Sequence, residues 1–216
     1  MPELLIYSDI GASRGFFDDD GVTAQAVKDQ LDSMDGDVTI RINSMGGDVF
    51  EGHAIYNLIR HYQGGKKTVQ IDGIAASAAS VIAMAGDEIV MPINAMLMIH
   101  DPFTMAIGNA EEMTKTAEIL EQIKGTIVDV YANKVDIDKG RIAEMMSEET
   151  WLNADEAEGF GFAVKDSNQK AILNKIPAKT WINHAPEIEV VEEPELPPAP
   201  NFEARKRYLE IVADAI

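Results

Sequence analysis

Short β-rich runs alternate with helix-patterned segments along most of this chain, and that alternation limits the folds open to it. Leu4-Leu5-Ile6-Tyr7 reads as a strand, and Thr23 to Leu31 as a helix with Thr23 near its start. Val38-Thr39-Ile40-Arg41-Ile42 is a second strand. Phe50 to His61 follows with helical apolar spacing at Ala54, Ile55, Leu58 and Ile59. Thr68-Val69-Gln70-Ile71 is a third strand, and Ser77 to Ala85 a helix of small residues. Ile89-Val90-Met91 and Met96-Leu97-Met98-Ile99 are further short strands. Strands separated by helices of this length imply an α/β fold with right-handed crossovers.

Residues 110 to 134 form the longest helical segment, with Met113, Ala117, Leu120, Ile127 and Tyr131 recurring on one face. Ala154 to Phe160 is a short helix. Past residue 166 the character changes. Four prolines fall between Pro194 and Pro200 amid glutamates, so 167–200 reads as an extended acidic linker, and Asn201 could cap a last helix over 201–216.

Composition excludes several chemistries. There are no cysteines, so disulfides, thiolate metal sites and a Cys nucleophile are ruled out, and a reducing, cytoplasmic setting is expected. The formal charge of −19 should repel nucleic acid and anionic membranes. No apolar run is long enough to span a bilayer, and the N-terminus shows no signal-peptide pattern. His53, His61, His100 and His184 lack metal-ligand spacing. Gly64-Gly65-Lys66-Lys67-Thr68 fails as a phosphate loop, because Lys67 stands where Ser or Thr is needed. No metal or cofactor is expected.

Three segments concentrate the residues that could carry chemistry. Asn43-Ser44-Met45-Gly46-Gly47-Asp48 lies between a strand and a helix, and its glycine pair permits a tight turn with outward N–H groups. Gly73-Ile74-Ala75-Ala76-Ser77-Ala78-Ala79-Ser80 puts a serine between a strand end and a helix start, either as a nucleophile on an elbow or as a plain helix cap. Met98-Ile99-His100-Asp101-Pro102 ends an apolar strand in a histidine, a good place for a base.

Together these segments resemble the ClpP family of serine peptidases, with its I-N-S-P-G-G, G-x-A-A-S and M-I-H-x-P motifs. Gly52-His53-Ala54-Ile55-Tyr56 resembles the family's G-x-A-I-Y, and the likeness runs from about residue 4 to residue 166. The resemblance implies the spiral of β-β-α units shared by ClpP and crotonases, with a long protruding helix. It also implies Ser77 as nucleophile, His100 as base, and the N–H groups of Gly47 and Ala78 as oxyanion donors. Two positions depart from the pattern: Met45 replaces the usual proline, and the acid before Trp151-Leu152-Asn153-Ala154 is Glu149 rather than aspartate. Glutamate can orient a histidine as aspartate does. Asp101 adjoins His100 and is poorly placed to reach the ring from behind.

Glu149-Thr150-Trp151-Leu152 and the stretch from Gly15-Phe16-Phe17-Asp18 to Ala24 resemble ClpP-like proteases of tailed phages and prophages, which mature viral heads by cutting scaffold or capsid proteins. The expectations are therefore a serine endopeptidase acting on protein or peptide substrates. It would assemble as a homo-oligomeric ring, a heptamer or stacked pair of heptamers, and have capsid or scaffold partners. The alternatives are a subunit of a degradation machine working with an AAA+ ATPase, a crotonase-like acyl-CoA enzyme, and an inactive assembly protein of the same fold.

Overall fold

The computed structural model describes residues 1–11 and 21–166. The acidic Pro-rich stretch 167–200, the final helix expected over 201–216 and most of the motif opening at Gly15 lie outside the described residues.

A parallel sheet runs β1 (Glu3–Ile6), β2 (Val38–Ser44), β3 (Lys67–Ala76), β4 (Glu88–Met91) and β7 (Val164–Lys165) in spatial order. Leu4, Ile6, Val38, Ile40, Ile42, Val69 and Ile71 are buried, and removing each Ile or Leu side chain from water contributes about 1.5–3 kcal/mol. The sheet forks at β3. Thr68–Gln70 pairs with β4, while Ile74–Ala76 pairs with β5 (Met96–Ile99). β6 (Thr150–Leu152) runs antiparallel to β5, with Ile99 opposite Thr150 and Leu97 opposite Leu152.

Helices α1 (Ala24–Asp32) and α2 (Val49–Arg60) cross between the first three strands. Thr23 caps α1 as expected, its side chain accepting from Ala26 N–H, and Asp48 caps α2 by accepting from Phe50 and Glu51 N–H. α3 (Ala78–Ala83) is fully buried, which explains its run of small residues: only those let it lie between the sheet and its neighbours.

α4 (Ala110–Ala132) is 23 residues long and starts with a capping box between Asn109 and Glu112. Its buried residues, Ile127, Val128 and Tyr131, all lie near its C-terminal end, so its N-terminal half stands away from the core. α5 (Lys139–Ser147) and α6 (Ala154–Phe160) return the chain to the sheet. The sequence pattern had not marked α5 or β6. Three residues are too few for a readable alternation, and α5 mixes Gly140 with two methionines. No helix among the described residues is long and apolar enough to cross a membrane.

Candidate active site

Ser77 follows directly on β3 and occupies the N-cap position of α3 with φ 55° and ψ −126°. Its side chain makes no capping hydrogen bond. Instead Ser77 Oγ lies 2.7 Å from His100 Nε2. Of the two readings the sequence left open, elbow and cap, the side chain follows the elbow. Left-handed backbone costs a non-glycine residue about 1–2 kcal/mol, so surrounding contacts must impose it. One is the Ser77 N–H, which donates to Met98 O at 3.0 Å and staples the elbow to β5 two residues before the histidine.

The glycine turn presses on the elbow from the other side. Gly46 has φ 100°, and a Cβ there would sit 2.7 Å from Ala76 O, 2.7 Å from Ser77 Cβ and 3.0 Å from Ala78 N. Gly46 O accepts from Ile10 N–H at 2.8 Å, and Ile10 O accepts from Asp48 N–H at 2.9 Å. In that parallel bridge the Gly47 N–H faces away from Ile10. Among the described residues neither Gly47 N–H nor Ala78 N–H has an acceptor, and both residues line one cleft with Ser77 and His100. The cleft measures about 350 Å³, and Val81, Ile119, Leu120 and Ile123 give it apolar walls.

The His100 ring packs edge-on against Phe103, centroids 5.7 Å apart. Among the described residues its one hydrogen bond is the bond to Ser77. The structure brings Ser77 and His100 together and does not bring Glu149 to the imidazole. Glu149 is exposed, has φ 51°, and its Oε1 accepts from Trp151 Nε1 at 3.1 Å. The β5–β6 ladder ends at Ile99 and Thr150, one residue short of His100 and Glu149, and the Glu149 N–H turns back to Met146 O at 3.1 Å.

Asp101 is occupied elsewhere. Its Oδ2 accepts from Lys124 Nζ at 2.9 Å and Ser147 Oγ at 3.0 Å, tying the strand end to α4 and α5. Its Oδ1 is buried without a partner among the described residues. Three contributors were not read from the sequence in these roles: Ser80, Tyr131 and Trp151. Tyr131 showed only as one more apolar-face residue of a helix, and nothing in the chain's order pairs it with Ser80. Among the described residues there is no group of three His, Asp or Glu side chains that could hold a metal ion.

The profile of the Clp protease family matches residues 18–166. The chain belongs to the Clp protease family. That family consists of serine-type peptidases. Curated relatives include the ATP-dependent Clp protease proteolytic subunit of Deinococcus radiodurans, 27% identical over 65% of this chain and 69% of that protein. The subunit of the same name from Bacteroides thetaiotaomicron is 32% identical over 64% of each chain. Subunit 2 from Treponema denticola is 33% identical over 64% of this chain and 70% of that one. The chain thus aligns with about two thirds of the length of these relatives. Among solved structures, a mutant of ClpP1 from Listeria monocytogenes superposes with a TM-score of 0.64 at 24% identity. The match covers 76% of this chain and 89% of that one, and supports the mixed α/β fold with its parallel sheet.

Proposed function

We propose that this chain is a serine endopeptidase in which Ser77 is the nucleophile, His100 the general base, and Gly47 and Ala78 N–H the oxyanion donors. The observation that carries the reading is the 2.7 Å contact between Ser77 Oγ and His100 Nε2 on a serine held in left-handed backbone. His100 Nε2 takes the Ser77 hydroxyl proton as Oγ attacks a peptide carbonyl. The carbonyl oxygen becomes an oxyanion between the two N–H groups, each worth about 3–4 kcal/mol to such a transition state. The C–N bond then breaks as His100 gives its proton to the leaving amine. Water, deprotonated by the same imidazole, frees the acyl group and restores Ser77.

Glu149 serves as the third member when its carboxylate leaves Trp151 and accepts from His100 Nδ1, a reading supported by its place one residue beyond the Ile99–Thr150 pair. The apolar cleft walls favour a substrate with an apolar side chain next to the scissile bond.

The chain works as a homo-oligomeric ring. The exposed N-terminal half of α4 and the exposed Phe103, Met105 and Ile107 ahead of it supply surface for subunit contacts. Two settings are compatible with this chemistry. The relatives named as ATP-dependent Clp protease proteolytic subunits favour degradation beside a separate AAA+ ATPase in the cytoplasm. Processing of capsid or scaffold proteins rests on sequence likeness alone, at Glu149-Thr150-Trp151-Leu152 and from Gly15-Phe16-Phe17-Asp18 to Ala24.

The test is labelling of the full chain with a fluorophosphonate, alongside hydrolysis of a fluorogenic peptide. Wild type should label at Ser77. Ser77→Ala should lose labelling and lower hydrolysis by about four or more orders of magnitude, as with other triad serines. An unlabelled wild type that cleaves nothing would mark an inactive assembly protein instead.

A further inference from the structure

The Ala78 N–H belongs to the same peptide unit as the Ser77 carbonyl, and that carbonyl is held from behind. It accepts from Ser80 Oγ at 2.6 Å, from Ser80 N–H at 3.0 Å and from Val81 N–H at 3.3 Å. Ser80 Oγ also lies 2.8 Å from Tyr131 OH. A serine hydroxyl has one proton, and Ser80 gives its proton to the carbonyl, so Tyr131 is the donor in the second contact. Ser80 is 0% exposed and Tyr131 1%. The Tyr131 ring is fixed edge-on against Phe162, centroids 5.8 Å apart. Burial pushes the Tyr131 hydroxyl well above the ordinary tyrosine range, with the Ser80 contact acting weakly the other way, so it remains a neutral donor.

The result is a chain of bonds running from the floor of the core to the cleft: Tyr131 O–H to Ser80 O–H to Ser77 C=O, then through the amide to Ala78 N–H. Hydrogen bonds in series polarise one another in a dry interior. Donation to an amide oxygen also draws density along the conjugated C–N bond and leaves the N–H more positive. We propose that Ser80 and Tyr131 form a buried hydroxyl relay that fixes and polarises the Ser77–Ala78 peptide unit, making Ala78 N–H a better-aimed and stronger oxyanion donor. The inference rests on the catalytic reading of Ser77 and Ala78 given above. Both relay members are positioning residues that act through the peptide unit: Ser80 is fully buried, and Tyr131, though it borders the cleft, is 1% exposed with its hydroxyl turned to Ser80.

This arrangement differs from a buried tyrosine that merely finds a partner. A merely satisfied tyrosine would affect folding alone, whereas the relay also affects the state in which negative charge sits at Ala78. Loss of a whole oxyanion donor typically lowers kcat by about 10²–10³-fold, and the relay modulates one donor, so its effects are smaller. Tyr131→Phe should lower kcat about 2–5-fold, and Ser80→Ala about 10-fold, with KM unchanged for a fluorogenic peptide ester. Because the relay runs through Ser80, Tyr131→Phe should cost nothing further once Ser80 is alanine.

The experiment measures kcat, KM and Tm for the full-length wild type, both single variants and the double variant. It adds the affinity of a peptide boronate, whose tetrahedral adduct on Ser77 carries an oxygen into the same site. The expected result is a boronate affinity that falls in step with kcat, and a double variant equal to Ser80→Ala. Additive losses, or a fall in Tm with kcat and boronate affinity unchanged, would overturn the relay. Should Ser80→Ala not fold, Tyr131→Phe decides through its kcat and boronate affinity together. A Ser77→Ala protein that still labels with fluorophosphonate would defeat the catalytic reading itself. Normal labelling and loss in Ser77→Ala, with relay variants that turn over like wild type, would defeat the relay alone.

Discussion

Ser77 and Glu149 are the two non-glycine residues with positive φ among the described residues, at 55° and 51°, yet their surroundings have little in common. Around Ser77 the backbone is enclosed. Ala76, Ala78, Ala79 and Ser80 are buried, Gly46 lies within contact distance, and the N–H is stapled to β5. Glu149 is exposed at the start of a three-residue strand, with its carboxylate on an exposed indole. One half of the site is pre-organised by core packing, which loses conformational freedom during folding rather than during catalysis. The carboxylate proposed for the other half lies on the surface and takes the Trp151 indole N–H rather than His100. The serine's conformation is set by the fold; in the proposed reading the acid's is set by a choice of surface donors.

The largest effect should come from disturbing the enclosed half. Gly46→Ala drives a methyl group toward Ala76 O, Ser77 Cβ and Ala78 N in a backbone conformation that alanine resists. Turnover should fall by about 10²–10³-fold, comparable to losing an oxyanion donor, and Tm should fall with it. Steady-state kinetics and a thermal melt check both, and an active Gly46→Ala protein would show that the enclosure is not needed. Next is Glu149→Gln, which keeps size and removes charge. It should lower kcat by about 10²-fold, less than Ser77→Ala. If it is silent while Asp101→Asn is dead, the orienting acid is Asp101 and its buried Oδ1 is the relevant oxygen.

The third change should raise activity. Trp151→Phe deletes the competing donor and leaves an aromatic ring, so a larger share of molecules should place Glu149 on His100. A net hydrogen bond of about 1 kcal/mol corresponds to a gain of up to about 5-fold in turnover, and the gain should vanish in a Glu149→Gln background. Unchanged or lower kcat in Trp151→Phe would show that the indole supports the acid instead of diverting it.

The smallest effect concerns pH. Burial holds the His53 imidazole below its ordinary value, and its Nε2 is enclosed without a partner among the described residues. The unfolded chain therefore takes up a proton at a higher pH than the folded protein does. The stability this confers is intact above the unfolded value near ~6.5 and is lost as pH falls through the lower folded value. Gly52, beside His53, packs against Ala78, where an added Cβ would meet the alanine Cβ at 3.0 Å. Acid should thus loosen the enclosed half. Tm measured below about pH 6.5 should decline less steeply in His53→Gln than in wild type.

The legible parts of the sequence were those where short-range pattern and long-range structure agree. β1 to β5, α1 to α4 and α6 followed from local pattern, apolar runs for the strands and apolar spacing or small residues for the helices. Ser77 and His100 were legible because small residues before a serine, and a proline just after a histidine, are local signs of an elbow and a strand end. Their contact spans 23 residues and was legible only through the family likeness. The position of the Glu149 carboxylate was not. Which donor it takes depends on an indole two residues on and a register set by β5, neither of which leaves a trace in local spacing. The Ser80–Tyr131 contact spans 51 residues and joins two side chains that look, in order along the chain, like a small helix residue and a core aromatic.

The fork in β3 sets where this chain can change length. Thr68–Gln70 is committed to β4, Ile74–Ala76 to β5, and β2 runs alongside both stretches. Adding one residue between the two arms would advance Ser77 by about 3.3 Å and turn its side chain to the opposite face of the sheet, away from the histidine. β4 and β5 could not both follow, since each is locked to a different arm of the strand. The loop from Met105 to Gly108 carries no such obligation: it follows Phe103 and Thr104, which line the cleft, and reaches α4 before the pocket wall resumes at Thr116. Insertions and deletions in descendants of this sequence should therefore gather in that loop, while the distance from the glycine turn to the serine stays fixed.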